Sequence, residues 1–220
     1  MHPTAAGSQT SQTSPTSRTA GRPARSYPKG ERRRAAIVET AFAVFASDGY
    51  AGASMVQIAA ACGVSRAGLL HHFPTKESLL AAVLEERDRV NGELFFQGVE
   101  PGRDGIAYFQ HLIRLIEYNA GQRELLRLFG SLSTEAAAPA HPAHAYFANR
   151  YRRVAGDLDA AFRDAAARGL VRAGVDLDGV ARDLIALIDG LQIQWLIQPE
   201  HIDIAARLRR RLGELLTVDL

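Results

Sequence analysis

A single cysteine in 220 residues, Cys62, excludes an intramolecular disulfide and a cysteine-rich zinc site, and fits a reducing compartment. No run approaches the roughly 20 apolar residues that a membrane-spanning helix needs, so no membrane partner is expected. The first twenty residues are Ser-, Thr-, Gln-, Gly- and Pro-rich without an apolar h-region, which argues against a secretory signal and for a cytoplasmic protein. The alternation of a half-buried strand is missing throughout, and so is any internal repeat. Also absent are a nucleophile elbow, a phosphate loop and a pair of catalytic carboxylates, so neither catalysis nor a cofactor is expected. His141 and His144 flank Pro142 without an Asp, Glu or Cys at ligand spacing, and no metal is expected there.

What the chain does have is a 47% hydrophobic content, enough to bury a sizeable core, and a charge distribution more telling than its net +2. Up to Leu84 there are nine basic residues against four acidic, and from there to the end 17 against 20. Arg18, Arg22, Arg25, Lys29 and Arg32 to Arg34 make the beginning basic, which reads either as a solvated tail or as a nucleic-acid contact if a groove-reading element follows. Residues 1–28 are too poor in apolar side chains to offset ordering entropy and are expected to form a disordered tail.

From there the period is helical. Ile37, Val38, Ala41, Phe42 and Phe45 make one stripe, ended by the breaker Asp48-Gly49. Ser54 opens a short helix with Gln57 three residues on, a capping-box spacing, and Gly63 ends it. Ser65 caps a third helix, Arg66 to about Phe73. Pro74-Thr75 starts a fourth, carrying Leu79, Leu80, Val83, Leu84 and, further on, Val90 and Leu94. After a loop at Pro101-Gly102 the periodic segments are 106–120, 123–137, 143–168, 178–197 and 202–216. The expectation is an all-α chain of about nine helices, with a helix-turn-helix domain over 29–75 and a larger helical domain over 76–220.

The second and third helices meet the steric demands of a helix-turn-helix. Ala59 is small where the helices cross, Gly63 can take the left-handed turn, and Ile58, Val64 and Leu69 are apolar where the unit packs on the first helix. On these residues the run from Arg33 to Leu84 resembles the N-terminal domain of the TetR family of transcriptional regulators. The family's "G-hydrophobic-S-x-x-x-L-Y-x-H-F" followed by "x-x-K-E-x-L" reads here Gly63-Val64-Ser65-Arg66-Ala67-Gly68-Leu69-Leu70-His71-His72-Phe73, then Lys76-Glu77-Ser78-Leu79. Leu70 stands where the family usually has Tyr, which removes a phosphate contact or replaces it by an apolar one such as a thymine methyl.

The resemblance implies that Arg66, Ala67, Gly68, Leu70 and His71 face the major groove of an operator, with Ser65 capping the recognition helix and Arg66 reading guanine. It assigns Ser54, Gln57, His72 and Lys76 to phosphates, which fix register without reading sequence. It further implies a homodimer reading half-sites of a pseudo-palindrome and a small-molecule effector that releases it, most simply as a repressor. An arm from Arg18 to Arg34 would enter the minor groove. A sequence-indifferent architectural DNA-binding protein and, behind it, an enzyme using an apolar cavity are the alternatives.

The C-terminal helices are too apolar to be single-faced, which fits helices around a cavity. Phe109, Leu112, Ile116, Phe129, Phe147, Tyr151, Gln192 and Trp195 are the expected ligand-binding residues, with His111, Arg114 and Arg127 as further polar anchors. Leu184, Leu187, Ile188 and Leu191, then Leu208, Leu212 and Leu215, are spaced as one buried face on each of the last two helices. By the resemblance these stripes, Leu184, Leu187, Ile188, Leu191, Leu208 and Leu212 above all, form the dimer interface.

Overall fold

In the computed structural model residues 29–220 are described; Arg18, Arg22 and Arg25 lie outside them. Nine α-helices follow one another among the described residues: α1 Lys29–Gly52, α2 Met55–Ala61, α3 Arg66–His72, α4 Lys76–Asn91, α5 Gly105–Ala120, α6 Arg123–Glu135, α7 His144–Ala167, α8 Val180–Ile197 and α9 Ile204–Leu215. A π-helical turn, Gly92–Phe96, extends α4. The only strand-like pairing among the described residues is an isolated bridge between Val171 and Leu216. The fold is all-α, as the periodicity predicts.

Side-chain caps set the starts of the two short helices and of α4. Ser54, Ser65 and Thr75 accept from the backbone amides of Gln57, Gly68 and Ser78, each satisfying an orphan donor of the first turn. Thr75 and Ser78 cap each other reciprocally. The Ser54–Gln57 pair forms only half of the expected box, because the Gln57 amide instead donates to the Asp48 carboxylate. Gly49 holds φ at 73° within α1 and Gly63 holds 63° between α2 and α3, a left-handed conformation that costs glycine least.

Two apolar clusters result. The first joins Ile37, Ala41 and Phe45 of α1, Ile58 of α2, Leu69 of α3 and Leu79, Leu80, Val83 and Leu84 of α4 to Leu128 and Leu132 of α6 and Phe147 of α7. The second packs α5, α7, α8 and α9. The first four helices therefore share their core with α6 and α7. The backbones of α5 and α7 cross closely: a Cβ on Gly105 would lie 2.3 Å from the Ala161 carbonyl oxygen, and the Gly105 amide donates to Asp164 at 2.9 Å.

Three expectations need correction. Lys29 to Arg34 are the first turns of α1, so this part of the basic segment cannot be an extended arm in a minor groove. Leu94 does not continue the α4 stripe: the π-helical turn rotates it outward, and it is 58% exposed. The leucine stripes of α8 and α9 are intramolecular core. Leu184, Ile188, Leu191, Leu208 and Leu212 are between 0% and 8% exposed in the single chain, leaving nothing to bury against a partner, and Leu187 is partly buried against the same cluster. Period identifies a buried face without saying which molecule buries it.

Candidate nucleic-acid interface and effector cavity

The helix-turn-helix is held by buried Leu69, Ile58 and Ala59, with the Val64 amide donating to the Ala59 carbonyl at 3.0 Å across the turn. Arg66, Ala67 and His71 are exposed along α3, with Leu70 half-buried between them. Gly68 is half-buried beneath, where a Cβ would stand 3.2 Å from the Ser65 hydroxyl that caps the helix. Its small size leaves room for that cap. Ser54 and Ser65 are exposed, and His72 is half-buried with its ring 5.5 Å from that of His71. Arg34 stacks its guanidinium 4.7 Å over the Phe73 ring, bringing a cation of α1 to the end of α3. Sequence reasoning grouped this arginine with an arm running from Arg18 to Arg34, since only the packed fold places α1 beside the end of α3.

Lys76 is arranged differently from the expectation that it reaches for phosphate. Its ammonium donates to the Tyr50 and Ala53 carbonyls at 2.9 and 3.0 Å and lies 4.4 Å from the Tyr50 ring centroid. The Tyr50 hydroxyl donates to Glu77 at 3.1 Å, and burial together with that carboxylate raises its pKa to about 12. Lys76 thus braces the corner between α1 and α2. Gln57, exposed at the surface, donates to the Asp48 carboxylate.

A cavity of about 940 Å³ opens between α4, α5, α6, α7 and α8. Leu112, Ile116, Phe129, Phe147, Tyr151 and Gln192 of the expected ligand-binding set line it. Phe109 and Trp195 do not. Phe109 is fully buried against Phe162, ring centroids 4.7 Å apart, and Trp195 packs on the second cluster beneath the Arg123 guanidinium. Of the other polar anchors, His111 contacts the Phe95 carbonyl, Arg114 is exposed, and Arg127 donates to the Ala46 and Ser47 carbonyls at the end of the regular part of α1.

The polar wall was not foreseen from the sequence. Asp88 receives both Arg150 and Arg153. Asp189 accepts from the Tyr151 hydroxyl at 2.8 Å, and desolvation raises its pKa against the opposing pull of Tyr151 and Arg150. Asp157, one helical turn from Arg153, is also raised by burial. Asn91, at the junction of α4 with the π-helical turn, is 8% exposed and its side-chain Oδ1 has no hydrogen-bond partner among the described residues.

Two family models match the chain: bacterial regulatory proteins of the tetR family over residues 37–83, and the C-terminal domain of BetI-type transcriptional repressors over 110–217. The regulator UidR of Escherichia coli K12 is 27% identical over 191 residues, covering 84% of this chain and 93% of its own. RutR of the same strain is 41% identical over 63 residues, but that match spans only 30% of RutR and 26% of this chain. A putative regulator from Saccharomonospora viridis, solved in complex with choline, superposes with a TM-score of 0.72 at 24% identity, covering 86% of this chain and all of that one. The chain belongs to the TetR family, whose members are regulators rather than enzymes.

Proposed function

We propose that the protein is a homodimeric, ligand-responsive transcriptional repressor that holds operator DNA with α3 and loses it when a small molecule occupies the cavity. The observation carrying this reading is that α6 serves both sites. Its Phe129, Gly130 and Ser133 line the cavity, while Leu128 and Leu132 pack in the core that holds the recognition helix. An occupant that displaces α6 therefore displaces α1, and DNA affinity falls by the ligand's differential affinity for the two arrangements. The choline held by the S. viridis protein supports an effector role for the equivalent domain here.

Dimerisation falls to the exposed face of α8, where Ala186, Gly190, Ile193 and Ile197 recur at helical spacing, with Ile193, which also lines the cavity, 50% and Ile197 73% exposed. Selection of bound duplexes from a random pool, followed by footprinting, tests the reading. A pseudo-palindrome with half-sites about 34–36 Å apart is expected. Even coating without a preferred sequence would leave an architectural DNA-binding protein in its place.

A further inference from the structure

The polar groups that line the cavity divide into those with partners and those without, and the division has a sign. The guanidinium groups are engaged: Arg150 and Arg153 converge on Asp88, and Arg89 is held by Glu86 and Glu93, each at 2.6 Å. The Tyr146 and Tyr151 hydroxyls already donate, to the Leu84 carbonyl and to Asp189. Among the charged groups, what remains is acceptors, beside two neutral groups that can donate as well as accept, the Tyr108 hydroxyl and the Gln192 amide. Asp157 makes no hydrogen bond or ion pair among the described residues, with only the field of Arg153 acting on it. Asp189 has one phenol donor and no guanidinium in contact. The Asn91 side-chain Oδ1 is buried and unmatched among the described residues, while its neighbour on the wall, Asn119, already accepts from Arg87 at 2.7 Å. Buried acceptors without donors are costly, so a ligand that supplies donors gains what the empty cavity lacks.

Between these groups the wall is apolar and aromatic, with Phe96, Tyr108, Phe129, Phe147, Leu112 and Ile188 among its residues. Resting on the effector reading above, we propose that the ligand is an organic cation bearing N–H donors, a protonated amine or amidine on an apolar body, rather than a quaternary ammonium or an anion. A quaternary ammonium gains from aromatic rings and carboxylate charge but offers no proton to Asp157, Asp189 or Asn91. An anion would have to draw Arg150 and Arg153 away from Asp88.

Calorimetric titration with four probes sharing one phenylbutyl body and differing in head group decides this: the primary ammonium, the trimethylammonium, the alcohol and the carboxylate. The primary ammonium should bind at least about tenfold tighter than any other, the yield of one charge-assisted hydrogen bond. In the double variant Asp157→Asn/Asp189→Asn its advantage over the alcohol should shrink to within about threefold, while the variant's circular dichroism and thermal midpoint match the parent's and show that the fold is intact. The proposal is overturned by trimethylammonium or carboxylate binding as tightly as the ammonium, by an advantage that survives the double variant, or by no measurable ammonium binding. Operator binding by the same preparation is measured separately, so a repressor with a different ligand is told apart from a protein that is no repressor.

Discussion

At the scale of single residues, the fold separates side chains available to DNA from those already engaged. Arg66 is exposed on the outer face of α3, free to meet a base edge. Arg66→Ala is expected to weaken binding to the preferred operator by about 1–3 kcal/mol and to leave random-sequence affinity nearly unchanged. Gel-shift titrations on both duplexes check this, and an equal loss on each would reduce Arg66 to a phosphate contact. Lys76 is the opposite case. Lys76→Met strips two carbonyls of their donor and should lower stability to urea by about 1–3 kcal/mol. The salt dependence of DNA binding should hold. A slope reduced by about 0.9 with unaltered stability would mean that the lysine neutralises a phosphate after all.

At the scale of elements, much was legible in the sequence. Ser65 and Thr75 marked the starts of α3 and α4 because a side-chain oxygen before an apolar period has one economical use, accepting from a first-turn amide. The segment predicted over 143–168 is α7 at His144–Ala167, within a residue at either end. The lysine of the family motif was legible as a residue but not as a brace, since its partners Tyr50 and Ala53 come from 26 and 23 positions away. The π-helical turn left no trace either. Gly92 to Phe96 read as ordinary helix, and the extra residue per turn appears only through its consequence, Leu94 turned outward.

Close packing between elements was equally hidden. Nothing around Gly105 separates a helix start from a contact point, yet a Cβ there would collide with the backbone of α7. Because the obstacle is a carbonyl within a helix rather than the tip of a flexible side chain, Gly105→Ala should separate α5 from α7 and cost about 1–3 kcal/mol or more. Thermal unfolding measures it, and an unchanged midpoint would show that the two helices part freely. Arg127 makes the corresponding polar link between α6 and the end of α1. Arg127→Ala should speed hydrogen exchange in the turn after Ser47 while leaving α5 and α9 protected. Uniform protection would remove Arg127 as a tie between the two domains.

At the scale of the whole molecule, the proposed dimer needs a surface that the chain's own core leaves free. The inner stripes of α8 and α9 are taken by the chain's own core, which leaves their outer faces. On α9 that face carries Arg207, Arg209 and Arg210, with Arg209 paired to Glu117 at 2.8 Å and Arg210 to Glu214 at 3.4 Å. On α8 it carries Ala186, Gly190, Ile193 and Ile197, and apart from the adjoining turns of α8 no described residue lies within 4 Å of where a Cβ on Gly190 would stand, so another backbone can approach there. Ile193→Glu combined with Ile197→Glu places two carboxylates where the monomer tolerates them, because both positions are at least half exposed. In a symmetric interface each carboxylate would instead be buried without a partner, a cost of several kcal/mol. The double variant should sediment as a monomer, keep its helical circular dichroism and lose tight operator binding, since each recognition helix alone reads one half-site. A variant that stays dimeric and still holds its operator would move the interface off α8. One that unfolds would mean that Ile193 and Ile197 serve the chain's own core despite their exposure.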